Sequence, residues 1–145
     1  MFDTFRSSSK LINTFTGHTD TVWTIDYSTF DDSQFICSGS NDKTVRVWDV
    51  YNNKQIQLLN GNSHVRYVKF SLYHYHQNVI CFASNDKNIR FWDFKRNKKI
   101  QIFNRHASGV CGIEFSPFNG GRYLCSGSFD KTIHLWDVET SKSLH

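Results

Sequence analysis

His18, Ser38 and Asp42 are the residue types of a nucleophilic triad: a carboxylate to orient an imidazole, an imidazole to draw off a proton, a hydroxyl to attack. The same types return at the same spacing as His106, Ser126 and Asp130. Catalysis needs one centre, and two copies in a fixed spacing point to a structural role. The G-x-S-x-G turn that presents a serine nucleophile is also missing. We assign no catalytic residue.

Other chemistry-bearing groups yield to similar arguments. His74 and His76 flank Tyr75 and could hold a metal ion from one face of a strand, but no cysteine or carboxylate cluster accompanies them, so they read as a loop and no metal site is assigned. Cys37, Cys81 and Cys125 stand 44 residues apart, Cys111 falls outside that series, and none forms a C-x-x-C pair. All four read as reduced, buried thiols. The run 95–99, Lys-Arg-Asn-Lys-Lys, lies among Phe91, Trp92, Phe94 and Phe103, a mixture that can contact polyanions. Its place in a hairpin turn favours a solvated charge cluster, with anion or nucleic-acid binding as the alternative. No phosphate-cradling glycine loop or paired acid–base carboxylates are present, and no cofactor is expected.

The elements that position these residues come from a repeat. Trp48, Trp92 and Trp136 stand 44 residues apart, each followed by Asp, and close the phrases KTVRVWD, KNIRFWD and KTIHLWD. Around each phrase, short runs rich in Val, Ile, Phe, Tyr and Trp alternate with polar or glycine-containing turns, a strand pattern, and no stretch shows helical periodicity. The runs 22–28, 34–40, 43–49 and 54–60 make four strands in unit one; 65–71, 78–84, 87–93 and 98–104 in unit two; 110–116, 122–128, 131–137 and the beginning at 142–145 in unit three. Lys10, Lys54, Lys98 and Lys142 keep the period, so 10–16 reads as a further strand of the fourth type. The expected organisation is a flank at 1–9 and repeats at about 10–53, 54–97 and 98–141, followed by 142–145. Four short antiparallel strands with apolar faces must stack against further copies, and radial stacking makes a propeller.

At Gly17-His18, Ser38-Gly39-Ser40, Asp42, Trp48-Asp49, His106, Ser126-Gly127-Ser128, Asp130 and Trp136-Asp137 the chain resembles the WD40 repeat family over about residues 10–145. The resemblance implies all-β, WD40-type propeller blades: three four-stranded antiparallel units forming a partial or oligomer-completed propeller. It also implies a buried His-Ser-Asp-Trp tetrad in each blade, carried here by His18, Ser38, Asp42 and Trp48 and by His106, Ser126, Asp130 and Trp136. Unit two keeps Asp86 and Trp92 but has Phe82 in place of the serine and a displaced His64. It should be the less rigid blade, unless packing of Phe82 compensates.

In propellers of this kind partners dock on the face that holds the turn before strand one and the turn between strands two and three. The positions implied are Thr21, Trp23 and Asn41, then His64, Arg66 and Asn85, then Gly109, Cys111 and Phe129. Trp23, Arg66 and Phe129 are the expected anchors, since Trp and Arg dominate binding hot spots. The competing reading packs Trp23 against a neighbouring blade.

Composition agrees with a folded, mildly basic chain that can build a packed interior. The 145 residues are 39% hydrophobic and 16% aromatic, with a net charge of +4, and neither a membrane-spanning run nor an apolar leader core is visible. The expectation is a cytoplasmic, non-catalytic scaffold with protein partners and no membrane contact; the nucleus is the other compartment open to it. The absence of Arg two residues after each Trp-Asp weakens a ubiquitin-ligase adaptor role. Two alternatives stand beside the scaffold: polyanion binding through 95–99, and a fragment of a larger propeller without autonomous function. Two chains associating could supply six units.

Overall fold

The computed structural model describes residues 9–28, 32, 34–75 and 77–144. The described residues form three four-stranded antiparallel sheets and a single 3-10 turn at Asn119–Gly121. Sheet one holds β1 (Val22–Tyr27), β2 (Phe35–Ser40), β3 (Thr44–Asp49) and β4 (Lys54–Asn60). Sheet two holds β5 (Val65–Phe70), β6 (Val79–Ser84), β7 (Ile89–Asp93) and β8 (Lys98–Phe103). Sheet three holds β9 (Val110–Phe115), β10 (Tyr123–Ser128), β11 (Ile133–Asp137) and the short β12 (Lys142–Ser143). In each, neighbours in sequence are neighbours in the sheet, the arrangement of a propeller blade. The sequence repeat is offset from the sheet by one strand, because 54–60 and 98–103 complete the sheet before them.

The turns are built from local chemistry. Lys43, Lys87 and Lys131 occupy the left-handed region at φ 69, 76 and 71° between strands two and three. That conformation costs a side-chain-bearing residue about 1 kcal/mol. The preceding aspartate offsets it by accepting the backbone N–H two residues on: Thr44 to Asp42, Asn88 to Asp86, Thr132 to Asp130.

Register breaks at two recurring places: strand four skips Ile56 and Ile100 opposite strand three in sheets one and two, and strand one skips a residue near its start in all three sheets. Val22 pairs with Ser40 and Thr24 with Gly39, leaving Trp23 unpaired; Arg66 and Cys111 are skipped in the same way in the other two sheets. A bulge of this type turns its extra residue away from the ladder.

The core lies between sheets. Phe35, Cys37, Val45 and Val47 on the back of sheet one meet Val65, Val68, Phe70 and Phe82 on the front of sheet two. Cys81, Ala83, Ile89 and Phe91 on the back of sheet two meet Val110, Ile113, Phe115 and Trp136 on the front of sheet three. Side chains tie the inner strands as well: Thr24 Oγ1 accepts Val68 N–H at 3.2 Å, Asp26 accepts Phe70 N–H at 2.9 Å, and Lys69 Nζ reaches Glu114 at 3.0 Å.

Two expectations need correction. Residues 10–16 do not form a strand; they pass irregularly beside sheet one, with Phe15 against Trp48 at 5.7 Å and Leu11 and Ile12 exposed. A fourth-type strand needs the third strand of the sheet before it, and the described chain offers none ahead of sheet one. The cysteines also divide: Cys37 and Cys81 are buried, Cys125 and Cys111 exposed. Cys125 occupies the position of Cys37 and Cys81, but on the back of sheet three, which no sheet covers among the described residues. Cys111 is a bulge residue. Residues 1–8, the loop positions 29–31 and 33, His76 and His145 lie outside the described residues.

Candidate partner-binding face and the polar ties beneath it

The ties come first, because they hold the turns that shape the face. His18 Nδ1 lies 2.8 Å from Asp42 Oδ2, His18 Nε2 lies 2.7 Å from Ser38 Oγ, and Trp48 Nε1 donates to the same oxygen at 2.9 Å. A carboxylate can only accept, so Nδ1 carries the proton, Nε2 accepts the Ser38 hydroxyl, and the serine oxygen accepts from Trp48. His106, Asp130, Ser126 and Trp136 repeat the network at 2.8 Å in each of its three links. Both serines are sealed from solvent with their hydroxyls engaged on two sides. The arrangement ties strands together, with each serine oxygen held between an imidazole and an indole.

The same hydrogen bonds act on the aspartates. Burial alone would raise the Asp42 carboxyl, but hydrogen bonds from Thr44, His18 and Thr19 outweigh it and hold the group well below the usual carboxylate range. At Asp130 the Thr132 hydroxyl is the strongest such influence, opposed by burial and reinforced by His106 and Ala107 N–H, with the same net direction.

Sheet two does not bring Asp86 and Trp92 into one network. Asp86 instead takes both prongs of the buried Arg90 guanidinium, and Ser84 Oγ joins them. Burial works against ionisation of Asp86, and Arg90 and Ser84 more than restore it, lowering its carboxyl. Trp92 Nε1 turns to Asn97 Oδ1 at 3.1 Å, because Phe82 fills the serine position and is buried in the core. Arg90 was not singled out by sequence, although its place beside Asp86 at i,i+4 was a usable signal. Gln57 and Gln101 were missed too: at a spacing of one repeat, their Nε2 groups donate to Phe94 O and Val138 O across adjacent sheets.

Above these turns lies a continuous face. Thr21 O accepts from Asn41 N–H, His64 O from Asn85 N–H and Gly109 O from Phe129 N–H, at 2.9, 3.0 and 3.0 Å, so the three position pairs are fixed identically. The bulges project Trp23, Arg66 and Cys111 beside them. The Arg66 guanidinium lies 4.8 Å from the centre of the Trp23 ring, Trp23 Nε1 donates to Asn41 Oδ1 at 3.0 Å, and Arg66 Nε reaches Asn85 Oδ1 at 3.4 Å. Trp23 therefore does lean on the neighbouring blade, through Arg66, yet remains 51% exposed. Gly109 closes the surface: a Cβ there would stand 3.1 Å from Asn85 and 3.4 Å from the Phe129 ring. Cys111 Sγ sits 3.5 Å from Gly127 O, and Phe129 is exposed.

The remaining candidates do not join this surface. His74 turns inward, with Nδ1 2.9 Å from Ser71 Oγ and its ring against Phe91, and burial lowers its pKa. No metal-holding cluster of His, Cys, Asp or Glu occurs among the described residues. In the basic turn, Lys95 Nζ lies over the Phe35 ring at 5.2 Å and Arg96 pairs with Asp93 at 3.3 Å, and all of 95–99 is exposed.

Comparison with known proteins places this architecture. Eukaryotic translation initiation factor 3 subunit I of Xenopus tropicalis is 39% identical over 59 residues, which is 41% of this chain and 18% of that protein. The human and Xenopus laevis proteins of the same name are 37% identical over the same proportions. The aligned stretch thus spans less than a fifth of these relatives. A profile of the WD domain, G-beta repeat family matches at 9–49, 53–93 and 97–137, most of the chain in three consecutive copies. On that match and on its three four-stranded sheets, the chain belongs to the WD40 repeat family.

Proposed function

We propose that this chain is a non-catalytic scaffold that binds a protein partner across the face formed by Trp23, Arg66, Asn85, Gly109 and Phe129. The observation that carries the reading is the bulge at the start of each sheet, which lifts Trp23, Arg66 and Cys111 out of the ladder onto one surface. Trp23 and Arg66 are held ready by Asn41 and Asn85, so little side-chain freedom remains to be lost on binding. The name of the similar proteins, a subunit of a translation initiation factor, supports membership of a multiprotein assembly and a cytoplasmic setting. No helix among the described residues is long and apolar enough to cross a membrane.

Affinity capture from a cytosolic extract tests this reading. The double variant Trp23→Ala, Arg66→Ala should lose the proteins the unaltered chain retains while keeping its circular dichroism spectrum. Equal retention by a folded double variant refutes the assignment. Polyanion binding through 95–99, a run exposed throughout, is the alternative, and steep loss of binding with added salt would favour it over the protein-partner face.

A further inference from the structure

The two ends of the three-sheet stack carry complementary apolar surfaces with exposed positions, the front one flanked by Leu11, Phe15 and His18. Equivalent front positions are Ile25, Val68 and Ile113: the last two are 1% and 3% exposed, whereas Ile25 is 70% exposed. Val22 and Tyr27 are likewise open where Val65, Phe70, Val110 and Phe115 are buried. On the back, Val45 and Ile89 are fully buried and their equivalent Ile133 is 78% exposed. The existing interfaces show what such a back face receives. Val65 sits on Gly39, with its Cγ1 only 2.6 Å from where a glycine Cβ would stand, and Val110 packs in the same cluster as Ala83, the matching residue of sheet two. Gly127 is the matching residue of sheet three, and a Cβ there would meet nothing within 4 Å. The residue that fits on it, by the register of both internal interfaces, is a valine at the head of a first strand. The chain itself carries one that no sheet covers among the described residues, Val22, 47% exposed.

We infer that two copies of this chain join back to front, with Val22, Ile25 and Tyr27 of each seated on Gly127, Cys125 and Ile133 of the other. Two such contacts related by a two-fold axis close a ring of six blades, within the range of four to eight that propellers adopt. The contact is separate from the partner-binding face, so Trp23 and Arg66 substitutions leave it intact.

Light scattering on the 145-residue chain reads the assembly directly: the expected mass is twice 17.0 kDa. Ile25→Glu and Ile133→Glu change exposed side chains, so each variant folds as judged by circular dichroism, and each should run as a monomer because a carboxylate enters an apolar contact. Mixed together they should recover a dimer, since one copy's unaltered back then meets the other's unaltered front. In a background with Cys111→Ser and Cys125→Ser, Val22→Cys with Gly127→Cys should form an intermolecular disulfide under mild oxidation. A monomer at all accessible concentrations overturns the inference, as does an open-ended polymer. A dimer abolished by Ile133→Glu but untouched by Ile25→Glu, the signature of back-to-back pairing, overturns it too.

Discussion

Ser126 Oγ accepts the Trp136 Nε1–H and donates to His106 Nε2, so removing it orphans two buried groups at once. Ser126→Ala should cost about 1–3 kcal/mol, the usual penalty for buried polar atoms left without partners, measured as a shift in the urea midpoint at unchanged slope. The aspartates that anchor these ties set the acid limb of stability. Asp42 and Asp130 have carboxyls held below the usual range in the fold, so the unfolded chain takes up protons first as pH falls. Their contribution is complete above about pH 4 and is lost below it. Asp42→Asn with Asp130→Asn should lower stability at neutral pH and flatten the decline below about pH 4; an acid limb as steep as that of the unaltered chain would refute this. His134 acts at higher pH. Burial and the adjacent His106 lower its pKa, and its Nδ1 is buried without a hydrogen-bond partner among the described residues, so stability also declines as pH drops below about 6.5.

At the scale of the element, blade two has exchanged one kind of tie for another. The period of Trp-Asp, the β-rich runs and the Asp turns made the strands of all three sheets legible, because each rests on local pattern and turn chemistry. The Arg90–Asp86 pair was not legible in that way: the sequence displays a missing serine and histidine, whereas the compensating cation sits on the next strand and acts through its fork geometry. Segment 10–16 fails for the opposite reason, since its composition is strand-like but a strand also needs a partner edge. The cysteines teach the same lesson: Cys37 and Cys125 are equivalent by period, and only the neighbouring sheet makes one buried and the other exposed. In the candidate face, the residue types at 23, 66 and 129 were readable, but the bulges that project two of them, and the Arg66–Trp23 stacking, arise from pairing between strands. Arg90→Ala should destabilise the chain by about 2 kcal/mol, less than the 3–5 kcal/mol of a fully buried pair because Asp86 keeps an edge in water. Arg46→Ala, whose guanidinium only approaches Asp42 at 4.0 Å, should cost less than half as much in the same denaturation assay.

The whole molecule is a one-dimensional stack in which each sheet is stabilised by the neighbours on its two faces. Among the described residues sheet two alone has both faces covered, and every residue of β6 is buried. Sheets one and three each leave one face open, at Ile25 and at Ile133. Local opening free energies should follow that asymmetry, since regions with few buried apolar contacts open most readily. In hydrogen exchange at low protein concentration, the amides of β6 and β7 should therefore be the slowest, and those of β1 and β11 faster by at least about tenfold, the equivalent of 1.4 kcal/mol in opening free energy. Back-to-front pairing adds a second requirement, because it covers both open faces at once. As concentration rises, β1 and β11 should gain protection together while β6 changes little. Protection gained by one end alone would mean that the two faces meet different partners, and uniform protection at every concentration would mean that the stack does not behave as coupled sheets.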